Sequence, residues 1–377
     1  MSKNNILVSI IIPTKNRHYQ LMETLRAHKF WPIDLRSKIE IVISDNSINR
    51  LNHEELLNIQ NLFPNVNYSH ITEDFTISDN FNHGYKMSTG KWIVFIGDDD
   101  FFMPSIIKTI EEFDGEDIDS IVYNPHKYYW ESCKFKNSNV YGAPSTLVLS
   151  QPWANEKINP KFEFIKSLKN GGLTIEKMPR AYHGLILRDV FNKFCIHKDG
   201  QFYLGSPDIS MTTMLTLKGI KIQSVTVSLT VYGASDGSAG GMTTSKSHMQ
   251  SLDRTLFLSK KFRDTWHKTI PKYWSEFTVF PASILYIKNE YNLKLPAKLN
   301  YATVYITCLL NEFENRKLVY DAFKTLKFQD KLNLFTCLPK AILRKSIGIL
   351  FRKIKSKLHK DKLIYLKPEE IIRYDIK

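Results

Sequence analysis

Apolar runs alternate with amphipathic stretches along the first third of the chain. The runs predict five strands, at residues 6–12, 39–44, 66–71, 92–96 and 118–124. The stretches between them carry apolar residues at helical spacing and predict four helices, at residues 17–30, 52–61, 78–87 and 104–113. Strands that alternate with helices in this way predict an α/β fold, with a mainly parallel central sheet flanked by helices.

The pattern weakens after residue 124 and then returns. Residues 125–160 mix aromatic and turn residues and predict an insertion or hairpin. A strand at 184–187, a helix at 208–217 and a strand at 220–229 follow. The glycine- and serine-rich stretch 233–247 predicts a lid or a linker. We therefore expect an α/β domain over 1–245, a helical C-terminal region over 246–338 and a tail over 339–377.

Composition narrows the class of protein. Apolar residues make up 43% of the chain and charged residues 24%, which is typical of a folded protein. The four cysteines form no CxxC pair, so neither a disulfide framework nor a zinc site is expected. No apolar run approaches the roughly 20 residues that span a bilayer, and the N-terminus does not resemble a signal peptide. We expect a cytoplasmic protein that is soluble or lies on a membrane surface.

The net charge of +14 is concentrated near the C-terminus. Between Lys340 and Lys360 there are eight Lys or Arg residues and no Asp or Glu. The apolar residues there repeat every three or four positions, at Leu343, Ile347, Leu350, Phe351, Ile354 and Leu358. This amphipathic pattern, from Leu343 to Lys360, predicts a helix that binds an anionic membrane surface. The alternatives are a helix packed on its own domain or a nucleic-acid-binding patch, but no nucleic-acid-binding motif supports the latter.

Three consecutive carboxylates follow the most apolar strand, in the stretch KWIVFIGDDDFFMP. Asp98, Asp99 and Asp100 lie where the carboxyl end of a strand would meet a ligand in an open α/β sheet. They repel one another unless a positive charge neutralises them. Mg²⁺ or Mn²⁺, which prefers oxygen ligands and shares its coordination with substrate phosphates, is the favoured partner. The alternative is a solvated acidic turn before the helix that starts near Pro104.

Polar residues at the other strand ends extend this site. Pro13, Thr14 and Arg17 follow the first strand, and Asp45 follows the second. Asp79 and Asn80 lie on the helix that precedes the acidic strand. No glycine occurs before Gly84, which disfavours a GxGxxG dinucleotide site and a P-loop.

The motifs VSIIIPTKNR, IEIVISDNS and DNFNHGYKMSTGKWIVFIGDDD resemble, in order and spacing, those of the family 2 inverting glycosyltransferases with the GT-A fold. The resemblance implies that Thr14 and Asp45 contact the nucleoside of a nucleotide-sugar, with Pro13 shaping the turn. It also implies that Asp98 and Asp100 match the ends of the DxD motif, which holds a metal and the donor, with Asp100 the first choice as metal ligand. Lys15 replaces the aromatic residue that is usual in the family.

An inverting transfer needs a carboxylate that takes the proton of the acceptor. By resemblance to the family, this base follows the DxD motif at a helix start, and Asp208 in GSPDISMTTML fits best. Its alternative role is a helix N-cap. Glu176 and Asp189 are rival bases, and His183 could bind acceptor or metal or be purely structural.

The resemblance and the basic tail together predict the function. We expect metal-dependent, inverting sugar transfer from a nucleotide-sugar to a glycan or a polyprenyl-diphosphate-linked acceptor, in the synthesis of bacterial surface polysaccharide. The expected location is the inner face of the cytoplasmic membrane. The alternatives are a catalytically silent scaffold at the membrane and a metal-dependent nucleotidyl or phosphoryl transferase.

Overall fold

The computed structural model describes residues 6–73, 75–136, 142–196, 200–245, 250–252, 258–339, 342–343 and 363–375. The predicted membrane-binding helix, from Leu343 to Lys360, lies outside the described residues except for its first residue.

Strands and helices alternate through the first half of the described chain. The strands are β1 Val8–Thr14, β2 Ile39–Asp45, β3 Val66–His70, β4 Trp92–Phe95, β5 Phe101–Phe102, β6 Ser120–Val122, β7 His126–Tyr129, β8 Thr146–Val148, β9 Glu156–Ile158, β10 Leu185–Leu187, β11 Ile222–Ser224, β12 Thr230–Ala234, β13 Gln250–Ser251, β14 Tyr273–Trp274 and β15 Ile364–Tyr365. The helices are α1 His18–Ala27, α2 Ile33–Ser37, α3 His53–Leu62, α4 Ile77–Met87, α5 Ser105–Glu112, α6 Pro160–Lys169, α7 Arg188–Cys195, α8 Pro207–Leu217, α9 Ala239–Ser245, α10 Lys260–Asp264, α11 Glu276–Glu290, α12 Tyr301–Asn311, α13 Arg316–Lys324, α14 (328–339) and α15 Pro368–Asp375. Short 3₁₀ turns lie at His28–Phe30 and Phe313–Asn315.

An eight-stranded sheet forms the centre of the molecule. Its order is β3-β2-β1-β4-β10-β6-β11-β9. The four strands from β3 to β4 are parallel, whereas β10 runs antiparallel to both of its neighbours. The sheet flanked by helices confirms the predicted α/β class; it is parallel in its first half and mixed in its second.

The parallel half is buried, and its register brings the strand ends together. Every residue of β2 is buried, as is nearly every residue of β1, which explains their continuous apolar runs. Thr14 at the end of β1 pairs with Asp45 at the end of β2. The polar residues that follow these strands therefore meet at one edge of the sheet.

A second sheet, of order β15-β8-β7-β12-β5, packs beside the acidic triplet. The predicted strand at 220–229 is too long, because β11 ends at Ser224 and the next strand, β12 in the second sheet, begins only at Thr230. The predicted lid or linker at 233–247 is also wrong in its first part. Residues 230–234 pair with β7 and β5 instead, and α9 follows at Ala239–Ser245.

The C-terminal helices pack on the α/β domain and on one another, and then the chain returns to that domain. Helix α11 shares a buried cluster with residues of α6 and α8, and α12 and α13 supply most of a second cluster. Strand β15 pairs with β8, and α15 packs on α1 with Ile371 and Ile372 fully buried. The last described residues are thus part of the α/β domain.

We predict that Ile371→Ala lowers the free energy of unfolding by about 2–4 kcal/mol, because it removes a fully buried side chain between α15 and α1. Glu369→Ala, on the exposed face of the same helix, is the matched control and should cost less than about 1 kcal/mol. Chemical denaturation followed by tryptophan fluorescence measures both variants. Equal stability of the two variants would contradict the packing of α15 on α1.

Candidate functional site

The three aspartates lie in the turn between β4 and β5, inside the protein. Asp98 and Asp99 are 5% and 4% exposed, and Asp100 is fully buried. Three adjacent buried carboxylates require compensating donors or positive charge, since an unpaired buried charge is very unfavourable. The residues that supply this compensation define the site.

Arg17 supplies the positive charge from the loop after β1. Its Nε lies 2.8 Å from Oδ1 of Asp98, and its Nη2 lies 2.9 Å from Oδ2 of Asp99. Thr14 donates from its hydroxyl to the other oxygen of Asp98, at 2.7 Å. The end of β1 is thereby tied to the end of β4 through ion pairs and a hydrogen bond.

Strand β12 closes over Asp99 from the opposite side. Oδ2 of Asp99 accepts hydrogen bonds from the backbone N–H and the hydroxyl of Ser235, at 3.0 and 2.7 Å. The same hydroxyl accepts from Nη2 of Arg17 at 2.8 Å. Only glycine fits at position 233, because a Cβ there would lie 1.8 Å from the carbonyl oxygen of Asp99.

Asp100 is held by three hydrogen-bond donors and lies against a histidine. Its Oδ1 accepts from the N–H of Gly233 at 2.6 Å, and its Oδ2 accepts from the N–H of Gly97 at 2.5 Å and from the hydroxyl of Tyr182 at 2.9 Å. Nε2 of His183 lies 3.0 Å from the same Oδ2. His183 itself has a φ of 53°, in the left-handed region, and its Nδ1 contacts the hydroxyl of Thr230 at 2.7 Å. It is buried beneath the triplet, where it supports Asp100.

The ionisation of the triplet follows from these contacts. Burial raises the pKa of Asp98 above its usual range, and the charge of Arg17 opposes that shift. Burial also acts to raise the pKa of Asp100, but His183 and the backbone donors outweigh it and the pKa is lowered. Burial disfavours the charge of Arg17, yet Asp98 and Asp99 outweigh that effect and raise its pKa. Arg17 and Asp100 therefore each favour the charged form within one buried cluster.

Asp45 forms the second polar centre of this edge. Its Oδ1 accepts from the backbone N–H of Ser47 at 2.9 Å. Its Oδ2 accepts from the hydroxyl of Tyr68 at 2.9 Å and lies 2.8 Å from Nε2 of His18. The side chain of Asp45 is fully buried, so these partners fix its position.

Helix α4 places Asn80 and Asp79 on different sides. Asn80 is buried against the strand ends, where it donates to Oδ1 of Asn46 at 2.9 Å and accepts from the hydroxyl of Ser44 at 2.5 Å. Asp79 is exposed and caps the helix, with its Oδ2 accepting from the N–H and hydroxyl of Thr76 at 3.0 and 2.6 Å. Asn80 thus joins the edge that carries Thr14 and Asp45, whereas Asp79 faces away from it.

Asp208 is the second residue of α8, and the N-cap is Ser206 rather than Asp208. Its Oδ1 accepts from the N–H of Ile209 at 2.9 Å and from the hydroxyl of Ser206. Burial raises the pKa of Asp208, although these hydrogen bonds and the charge of Arg180 oppose the shift. A carboxylate with a raised pKa is a stronger base than an exposed one.

The rival bases are placed differently. Glu176 is more than half exposed and lies 2.9 Å from Nζ of Lys166. Asp189 lies in the first turn of α7, as expected for a residue that stabilises a helix start. Arg180 is buried and donates to the carbonyl oxygens of Tyr123, Glu176 and His183, so it holds the backbone here.

The carboxylate oxygens of the triplet are the kind of ligand atom that a hard divalent cation prefers. Their arrangement, however, fits a guanidinium: each carboxylate oxygen of Asp98 and Asp100 already contacts a protein donor. Among the described residues, no group of three or more His, Cys, Asp or Glu side chains is placed to hold a metal ion. A cation on Asp98 would first have to displace Arg17 or Thr14.

His18 and Tyr68 are site residues that sequence reasoning missed, and it placed Ser235 only within the predicted lid or linker at 233–247. Tyr68 could have been found, because it precedes His70 by two residues and His70 is the partner of Asp45 in the parallel register of β2 and β3. Nothing in the local sequence around Ser235 indicates its contact with Asp99, which is 136 residues away along the chain.

Comparisons with known proteins indicate the family to which the chain is similar. Residues 9–175 match the family model described as Glycosyl transferase family 2. No curated protein matches the sequence. Among solved structures, the chain is similar to S. aureus TarS 1-349 in complex with UDP-GlcNAc, at 13% identity and a TM-score of 0.46, covering 89% of this chain and 80% of that one. It is also similar to the mannosyltransferase PcManGT from Pyrobaculum calidifontis in complex with GDP-Man and Mn²⁺, at 13% identity and a TM-score of 0.43, covering 93% of this chain and 86% of that one.

The family match covers the acidic triplet and the polar strand ends around Asp45. The residues that close the site from β12 and the residues before β10 lie beyond the match. The chain is therefore a glycosyltransferase, and its residues 9–175 match the glycosyl transferase family 2 domain.

Proposed function

We propose that the chain transfers a sugar from a nucleotide-sugar donor to a hydroxyl group of a glycan acceptor, with inversion at the anomeric carbon. The observation that carries this proposal is the meeting of two polar centres at one sheet edge. One is the triplet with Arg17, and the other is Asp45 with His18 and Tyr68. A nucleotide-sugar has two parts that match them, a diphosphate and a nucleoside.

In the proposed reaction, the acceptor oxygen forms a bond to the anomeric carbon while the bond from that carbon to the phosphate oxygen breaks. The nucleoside diphosphate leaves with the electron pair of the broken bond. Asp208 takes the proton of the acceptor hydroxyl, a role that its raised pKa favours. Thr14, Asp45 and Asn80 orient the donor from the strand ends, and Arg17 offsets negative charge at the diphosphate end.

Dependence on Mg²⁺ or Mn²⁺, with Asp98 and Asp100 as ligands, stays a prediction from the sequence. The neighbour PcManGT was solved with Mn²⁺. In this chain Arg17 holds the position beside Asp98 and Asp99 that a cation would need, and the oxygens of Asp100 accept hydrogen bonds from three protein donors. A bound cation would supply additional positive charge for the leaving diphosphate.

We further propose that the acceptor is carried on a lipid and that the chain lies on an anionic membrane, as in bacterial surface polysaccharide synthesis at the cytoplasmic face. Supporting residues lie on α14, where Phe328, Leu332 and Phe335 share one helix face and are 79%, 46% and 62% exposed. Lys327 and Lys331 accompany them, a combination suited to anionic headgroups. Among the described residues, no helix has the length and apolar character to cross a bilayer.

Co-sedimentation with phosphatidylglycerol vesicles tests the proposal, and failure to bind at low salt would refute it.

Two other functions make different predictions. A silent scaffold would release nothing from any nucleotide-sugar. A nucleotidyl or phosphoryl transferase would release pyrophosphate or inorganic phosphate instead of a nucleoside diphosphate.

The deciding experiment offers UDP-, GDP- and dTDP-sugars to the full chain and measures release of nucleoside diphosphate. We expect release from donors of one nucleotide, and a loss of about 100-fold or more in Asp208→Asn, because the proton of the acceptor then has no base. Donor binding, followed as a rise in melting temperature, should persist in that variant. Asp189→Asn is the matched control and should keep its activity. Equal rates for Asp208→Asn and the wild type would reject Asp208 as the base.

The pH dependence gives a second readout of Asp208. The base must be deprotonated, so kcat/KM should fall as the pH is lowered through its pKa. Because burial raises that pKa, the acidic limb should lie above the ordinary aspartate value of about 3.9. A limb at or below the ordinary value would contradict the buried environment of the base.

We predict that Arg17→Met lowers the free energy of unfolding by about 3 kcal/mol, because it leaves Asp98 and Asp99 buried without their cation. Mn²⁺ should raise the melting temperature of this variant more than that of the wild type, since a metal can then take the vacated position. Arg26→Met, which breaks an exposed ion pair with Glu23, is the control and should cost less than about 1 kcal/mol. An identical response to Mn²⁺ in Arg17→Met and wild type would show that Arg17 does not compete with a cation.

A further inference from the structure

A cavity of about 190 Å³ opens behind the donor edge, outside the site described above. Its walls come from the start of α4, from residues 201–204 and from the end of α11. Three tyrosines line it, Tyr203, Tyr286 and Tyr291, together with the carboxylates of Asp79 and Glu290.

The lining suits a ligand with apolar faces and polar edges. The rings of Tyr203 and Tyr291 meet edge to face, with centroids 4.9 Å apart, and form one wall. Asp79 and Glu290 offer acceptor oxygens at the polar side, where hydroxyl groups can donate. A sugar ring has this combination of C–H faces and hydroxyl edges, and mixed aromatic and polar linings are usual in ligand pockets.

The charges of the cavity argue against an anionic ligand. Asp79, Glu290 and Lys261 line it, and Nζ of Lys261 lies 3.6 Å from Glu290, so the lining keeps one net negative charge. A phosphate or a nucleotide would be repelled, whereas a neutral sugar would not. The donor's diphosphate therefore belongs at the strand ends and not here.

The position of the cavity relates it to the proposed reaction. Ser78 and Asp79 line the cavity, and the next residue, Asn80, lies at the donor edge. On the other wall, Leu204 lines the cavity and Asp208 follows four residues later. The hydroxyl of Ser78 donates to the carbonyl oxygen of Gly205 at 3.4 Å, which joins the two walls. Residues that line the cavity are thus close in sequence to a residue at the donor edge and to the proposed base.

We propose that this cavity binds an uncharged sugar ring of the acceptor glycan, held on Tyr291 and Tyr203 and hydrogen-bonded by Asp79 and Glu290. The inference rests on the proposed function, because it assigns the acceptor side of that reaction. The cavity would then bind the end of the glycan that receives the new sugar, and residues of α4 and α11 would determine which acceptor is used.

The test uses the full chain and a panel of neutral p-nitrophenyl monosaccharides as probes, with binding followed by saturation-transfer NMR. We expect at least one glycoside to receive saturation on its ring protons, and its Kd to rise about tenfold in Tyr291→Ala, since an aromatic contact is lost. Glu290→Gln, which keeps the shape of the side chain, should weaken binding less. Tyr320→Ala, at an exposed tyrosine on α13, is the matched control and should bind as the wild type does.

A kinetic measurement separates this inference from the proposed function. With the glycoside as acceptor, Tyr291→Ala should raise the KM for the acceptor about tenfold and leave the KM for the nucleotide-sugar donor nearly unchanged. If no glycoside binds, or if Tyr291→Ala and Glu290→Gln bind like the control, the cavity is not a sugar site. If the wild type releases no nucleoside diphosphate from any donor, the proposed function fails, and the NMR result still decides whether the cavity binds sugar.

Discussion

The ion pairs between Arg17 and the aspartates are the constraint on which the site depends. Three adjacent carboxylates in a buried turn would repel one another strongly without a cation of their own. Arg17 comes from the loop after β1 and Ser235 from the end of β12, and both meet on Asp99. Neutralising the triplet therefore joins the two sheets at the place where their strands end.

The same requirement explains features that lie away from the charge itself. Position 233 accepts only glycine because β12 approaches the backbone of Asp99 so closely. His183 keeps an unfavourable left-handed backbone conformation, which places its ring between Asp100 and Thr230. These residues affect both the stability of the fold and the ionisation of the site, because a change in the position of Asp100 would change the electrostatic environment of the whole triplet.

The parallel half of the fold could be predicted from the sequence, because the strands β1, β2 and β4 are continuous apolar runs with helices between them. The short strands were only partly predictable. The strand predicted at 184–187 is confirmed as β10, whereas the end of β11 after three residues was hidden because the chain that leads to β12 is itself apolar. Asp45, Asp98 and Arg17 were identifiable because they follow strands directly. His18, Tyr68 and the full role of Ser235 depend on contacts between segments that are distant along the chain.

The packing of α15 on α1 has a consequence for how the protein is made. A ribosome releases the N-terminal strands first, and most domains complete their folding in that order. Here Ile371 and Ile372 complete the layer over α1, the helix that follows Arg17 directly. The face of α1 that α15 covers therefore stays exposed until residue 372 has been made, and the nascent chain must keep that apolar surface from aggregating until then.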